Sequence, residues 1–180
     1  LDKEGITGCI VTRVESVREK KRKPSTKYFL ALALDERDIT KALETPLKMV
    51  DDCCVVNCPV PGGHSTADVQ KAIQHINAAT ANTTNCFITG FPGSLAQSMA
   101  FEALAGDIRQ AIVFVSSTFY DKDTHCPKDE KSESYKKYLR AIHPLVTYYA
   151  ALGKLSVCVV DSTSGDNCPA AVVNKVLSAS

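Results

Sequence analysis

At 180 residues the chain has the length of one domain, and a domain of that size buries roughly 70% of its unfolded surface. Hydrophobic residues make up 44% and charged residues 23%, which excludes a disordered or fibrous chain. Lys and Arg number 21 against 20 Asp and Glu, a net charge of +1, so no global field draws the chain to nucleic acid or to a membrane surface. Its longest apolar runs, such as Phe29 to Leu34, fall far short of the ~20 residues of a membrane span.

The first strand-like segment is Gly8 to Val14, rich in β-branched residues. From Arg13 to Lys27 come seven basic residues (13, 18, 20, 21, 22, 23, 27) against two acidic ones (15, 19), a local charge of 7 − 2 = +5. Beyond Pro24 the run Lys27 to Leu34 is apolar, so the pattern predicts a β-hairpin with a basic tip. That tip reads either as a solvated turn or as a patch for an acidic partner formed by Arg18, Lys20, Lys21, Arg22 and Lys23. A helical, acidic stretch begins at Asp35 and is expected to break at Pro46. A short apolar strand spans Asp52 to Cys58. Residues 1–59 thus read as an N-terminal hairpin, helix and strand, which is either an added unit or the start of the same domain.

From residue 60 to 180 helix and strand alternate. Ser65 and Asp68 form a near capping box ahead of Val69, Ile73 and Ile76. Cys86 to Phe91 is an apolar strand ending at Pro92-Gly93, and Leu95 to Leu104 is a helix stopped by Gly106. Ala111 to Val115 is the next strand, and 118–132 is polar and unpatterned. A long helix is expected over Ser134 to Leu152, ended by Gly153. Leu155 to Val160 is the last strand, and Pro169 opens a final helix. Strands apolar throughout, alternating with helices, predict an α/β fold with a parallel sheet covered on both faces.

Eight cysteines (9, 53, 54, 58, 86, 126, 158, 168) include no Cys-x-x-Cys pair. Cys86 and Cys158 lie within apolar strands, where a thiol behaves as a small hydrophobe. The set reads as reduced, intracellular thiols rather than a disulfide framework. The chain opens on Leu1 with no signal-peptide hydrophobic region and reads as an excised fragment. Cys54, Cys58 and His64 make a poor zinc half-site, because strand residues four apart are ~13 Å apart, and no metal is expected.

Ligands of such sheets bind at the C-terminal strand ends. The run after the first apolar strand, Asp35-Glu36-Arg37-Asp38-Ile39-Thr40, has no glycine and three carboxylates, so a phosphate-cradling loop is missing there. Pro61-Gly62-Gly63-His64-Ser65-Thr66 reads as an anion nest without the lysine, or as a plain strand-to-helix turn. Neither Ser65, Ser116 and Ser117 nor the four histidines form a nucleophile elbow, and no catalytic residue is expected. Cys126 beside His125 is a candidate reactive thiol with no orienting acid.

The ordered set Thr89-Gly90-Phe91-Pro92-Gly93-Ser94-Leu95-Ala96-Gln97, then Ala100-Phe101-Glu102, resembles the substrate-side signature of adenylate kinases and related nucleoside monophosphate kinases. Val60-Pro61 with its adjoining helix, and the unit from Tyr138 to Tyr149 through Gly153 to Val160, are similar to other parts of that family. The resemblance covers about residues 60–179. It implies a P-loop-kinase-like three-layer architecture. It also implies a nucleotide pocket shaped by Gly90, Phe91 and Pro92, with Gln97 at the adenine, unless Gln97 is a surface glutamine. Against the family pattern, the phosphate-holding arginine after Pro is Gly93, the acidic residue before Gly is Thr89, and 118–134 contains no arginine. Phosphoryl transfer is nearly all positioning and charge neutralisation, so these losses remove the catalyst.

The resulting expectation is a degenerate adenylate-kinase-like domain with no cofactor, acting as a structural and protein-interaction module in a larger intracellular assembly. Its expected location is the cytoplasm, with a cilium or flagellum as one setting and an acidic protein surface as the partner of the basic tip. Two other readings stand beside it: an AMP or ADP sensor without transfer, and a nucleoside monophosphate kinase completed by segments outside this chain. ATP or AMP is the cofactor weighed against the expectation of none.

Overall fold

The computed structural model describes residues 26–33, 39–58, 65–115, 120–121, 126–127, 133, 136, 140–160 and 168–179. The elements run β1 (Lys27–Ala33), α1 (Ile39–Leu47), β2 (Cys53–Asn57), α2 (Thr66–Ala79), β3 (Asn85–Thr89), α3 (Leu95–Ala105) and β4 (Ile108–Val115). They continue with β5 (Tyr120–Asp121), β6 (Cys126–Pro127), α4 (His143–Ala151), β7 (Leu155–Val159) and α5 (Pro169–Ser178). Five strands make one sheet in the order β2-β3-β1-β4-β7, and every pairing in it is parallel. The expected α/β class and covered parallel sheet are therefore present.

Alternation along each strand divides the core into two layers. Tyr28, Leu30 and Leu32 of β1, with Cys86 and Ile88 of β3, face α2, α3 and α4, which contribute Ile76, Phe101 and Tyr149. Phe29 and Ala31, with Phe87, Ile112 and Phe114, face α1 and α5, which contribute Leu43, Leu47 and Val173. Phe29 and Phe87 stack with ring centroids 4.8 Å apart. The connection through α1 steps one way across the sheet and lies on one face. Those through α2, α3 and α4 step the other way and lie on the opposite face. All four crossovers thus share one hand, as parallel connections do.

The strand expected as the second half of a hairpin is β1, a central strand with parallel neighbours on both edges. Its expected partner, 8–14, and the basic tip at 18–23 lie outside the described residues. Because β1 and β2 share one sheet with β3, β4 and β7, the segment 27–57 belongs to the same folded unit as those later strands.

Three boundaries differ from the sequence pattern. Pro46 lies inside α1 as its penultimate residue, where its missing N–H leaves a single helical bond unmade. The expected helix from Ser134 is helical at its described residues 136, 140 and 141, is interrupted by a turn residue at 142, and continues as α4 from His143. Pro144 in the first turn suits a helix start, because proline's fixed φ and missing donor cost nothing there. The stretch read as unpatterned contains the antiparallel β5–β6 pair, whose two-residue strands are too short to show a period.

Phe101 joins three elements: its ring meets Tyr28 of β1 edge-on at 5.1 Å and Phe91 at 5.8 Å. Phe101→Ala is expected to destabilise the fold by about 3–5 kcal/mol in urea unfolding, whereas Met99→Ala on the exposed side of the same helix should stay within about 0.5 kcal/mol.

Candidate functional site at the turn after β3

Strand order places the candidate site. β1 and β3 are neighbours, yet the chain leaves β1 towards the α1 face and leaves β3 towards the α3 face. Adjacent strands whose connections depart to opposite faces create a crevice at their C-terminal ends. The turn Gly90-Phe91-Pro92-Gly93-Ser94 sits at that crevice, directly after β3. Residues 34–38, next to the end of β1, and 116–119, next to the end of β4, lie outside the described residues.

Gly90 has φ +77°, and a Cβ there would lie 3.0 Å from Asn57 Oδ1 and 3.2 Å from the Cys58 carbonyl oxygen. The backbone of β2 runs that close because Cys58 N–H donates to the Thr89 carbonyl at 2.8 Å, extending the ladder past the strand ends. His75 of α2 closes the outer side, its Nε2–H donating to the Asn57 carbonyl at 3.3 Å. Phe91 turns inward and is buried, and the Phe91–Pro92 peptide is cis.

Gln97 is not a surface glutamine. Its side chain is 4% exposed, and its Oε1 accepts from Gly93 N–H at 2.8 Å. Gln97 N–H in turn donates to Ser94 Oγ at 3.3 Å, and Ser94 is the N-cap of α3. Ser94-x-x-Gln97 is therefore a capping box whose return bond reaches one residue before the cap. The same device starts α2, where Asp68 N–H donates to Ser65 Oγ at 3.2 Å. There the Ser65 hydroxyl donates to Asp68 at 2.6 Å and holds its carboxyl below the usual carboxylate range.

The structure thus brings Gly90, Phe91, Pro92 and Gln97 into one turn, and adds Asn57 and His75, which the sequence pattern did not single out, and Cys58, which it had weighed only as half of a zinc site. Asn57 and Cys58 were hidden because their contact with Gly90 depends on strand register; the one local signal was the glycine itself. Arg18, Lys20, Lys21, Arg22 and Lys23 lie outside the described residues, as do Pro61 to His64, Cys9 and His125; Cys126 falls in β6. Compared with known proteins, the chain matches no family model and no curated protein. Among the described residues no cluster of three His, Cys, Asp or Glu side chains suits a metal ion, and no helix is long and apolar enough to cross a membrane.

Behind the turn, polar groups of α3 are bonded inward. Ser98 Oγ and Tyr149 Oη of α4 are 2.5 Å apart and buried, and burial is the main reason the Tyr149 phenol is pushed up in pKa. Glu102 accepts from Ile108 N–H at 3.2 Å and from the Tyr148 hydroxyl at 3.3 Å. These bonds fix α3 against β4 and α4.

Gln97→Leu keeps the volume and removes the acceptor; it is expected to lower stability by about 1 kcal/mol, while Gln97→Glu, which still accepts from Gly93, should lose less. Urea titrations of the two variants side by side check this, and equal losses would remove the bond to Gly93 as the cause. Gly90→Ala should lose more than the ~1–2 kcal/mol of a left-handed alanine, since the Cys58 backbone cannot move aside as a side chain can.

Proposed function

We propose that this chain is a non-catalytic, adenylate-kinase-like α/β domain that works as a protein-interaction module in a larger assembly. The observation that carries the reading is the apolar outer face of α3. Its polar residues Gln97 and Ser98 are buried, while Met99 and Leu104 are 54% and 53% exposed. Ala96 and Ala103 are exposed beside them. A helix apolar nearly all round suits the inside of an assembly better than a free surface.

The inward set bears on nucleotide binding. A glutamine that reads adenine needs its amide at the pocket wall, whereas here the amide oxygen is taken up by Gly93 N–H. Gly93 and Thr89 stand where the resemblance calls for an arginine and an acid, and neither supplies charge to a phosphate. The parallel sheet, the strand–turn–helix unit from β3 to α3 and the helix–Gly153–strand unit from α4 to β7 support the kinase-like part of the reading. In this proposal the basic residues 18–23 supply a second, electrostatic contact for an acidic partner.

Calorimetric titration with AMP, ADP and ATP, each with and without Mg²⁺, tests the reading. Heats no larger than dilution at millimolar nucleotide are expected. Saturable binding that is lost in Gln97→Leu would overturn it in favour of a nucleotide sensor at the β3–α3 crevice.

A further inference from the structure

Cys54 and Cys86 are Cα partners in the ladder between β2 and β3. Partners across a ladder project from the same face, and both thiols lie in the core layer shared with α2. Cys53, one residue away, packs into the opposite layer. Neighbouring strands are about 4.8 Å apart, within the ~4.4–6.8 Å Cα separation that a disulfide spans. We propose that Cys54 and Cys86 form a reversible disulfide when the chain meets a peroxide, with Cys54 as the attacking thiol and Cys86 as the resolving one.

The two thiols are set up for different roles. Among the described residues β2 is the edge strand of the sheet, and Cys54 is half-buried where Cys86 is fully buried, so Cys54 is the thiol that a small oxidant meets first. Cys86 is fully buried between Cys54 and Tyr28, in one row across three strands. The Thr83 hydroxyl donates to Cys54 Sγ at 3.2 Å. A hydrogen bond from the Cys86 thiol, opposed by burial and helped by Thr83, brings the Cys54 thiol down, so Cys54 is the one that gives up its proton more readily. Cys86 is pushed up, first by holding its proton on that bond and then by burial, and stays protonated. Cys53 is pushed up by burial, so the neighbouring thiol does not compete for the oxidant.

The chemistry balances with hydrogen peroxide as the oxidant. Cys54 thiolate attacks one peroxide oxygen; the S–O bond forms, the O–O bond breaks, and hydroxide leaves to become water with one proton. The Cys86 sulfur, losing its proton, then attacks the Cys54 sulfenic sulfur. The S–S bond forms, the S–O bond breaks, and the second hydroxide takes that proton to become water. Two thiols give up two electrons, and one peroxide is reduced to two waters.

The test uses the reduced full chain exposed to equimolar hydrogen peroxide at pH 7. Remaining thiols are then blocked with N-ethylmaleimide, and the chain is digested and its peptides mapped without reductant. A linked peptide pair joining Cys54 to Cys86, released by dithiothreitol, is expected as the main product. In Cys86→Ala the disulfide should give way to a dimedone-trapped sulfenic acid at Cys54, and in Cys54→Ser Cys86 should stay unoxidised. Because the wild-type mapping needs no variant to fold, it decides by itself. A Cys53–Cys54 link, a Cys54 sulfenic acid that persists with Cys86 free, or both thiols still alkylated would each overturn the proposal.

Discussion

β1 constrains every other element because it is enclosed on four sides. Both of its edges are hydrogen-bonded, to β3 and to β4, and Phe29, Leu30 and Ala31 are buried on alternating faces. A strand in that position admits no proline, no unpaired polar side chain and no free N–H. With β1 fixed at the centre, the chain crosses past one strand position to place β2 at the edge, then returns to fill the gap with β3. That skipped position makes β1 and β3 neighbours whose chains exit to opposite faces, and so creates the crevice between them.

The turn after β3 depends on the same arrangement. Phe91 and Tyr28 both meet Phe101 edge-on, so the turn, the central strand and α3 share one aromatic contact. With Phe91 anchored, the backbone reverses within Gly90, pressed against β2 so closely that a side chain has no room. A turn held this firmly suits a ligand-shaping edge, and in a kinase-like pocket charges would come next. Here the next feature is a capping box whose acceptor serves the helix itself. The bond from Gly93 N–H gives the buried Gln97 a part in starting α3 abruptly after a tight turn.

Class, layers and most elements were legible in the sequence because each strand is a short run of apolar residues and Val69, Ile73 and Ile76 of α2 recur at helical spacing. Ser65 and Asp68 announced the start of α2, and the expected burial of Cys86 and Cys158 is met in full. Pairing was beyond the reach of the pattern. Lys27 to Leu34 reads equally well as half of a hairpin or as a central parallel strand, since both are apolar runs after a loop. Gln97 was ambiguous for a related reason: Ser94-x-x-Gln97 fits both a cap and a base-reading position, and only the direction of the amide separates them. The Asn57–Gly90 contact and the Cys54–Cys86 row depend on register between strands about 30 residues apart, which no local period encodes.

At the end of the sheet away from the turn, α3 is committed inward as well. Glu102 holds Ile108 N–H at the start of β4 while accepting from Tyr148, and Lys154 Nζ donates to the Ile108 carbonyl at 3.0 Å. Together with Ser98 and Gln97, these bonds turn the hydrogen-bonding groups of α3 towards the protein. The outward side is left with Ala96, Met99, Ala103 and Leu104, which have nothing to offer water. A free-standing domain gains by the reverse pattern, because burying polar groups needs a partner for each and exposing apolar ones forfeits the hydrophobic term. The network that secures α3 from within therefore leaves its outer face apolar, and that face is what the proposed assembly has to cover.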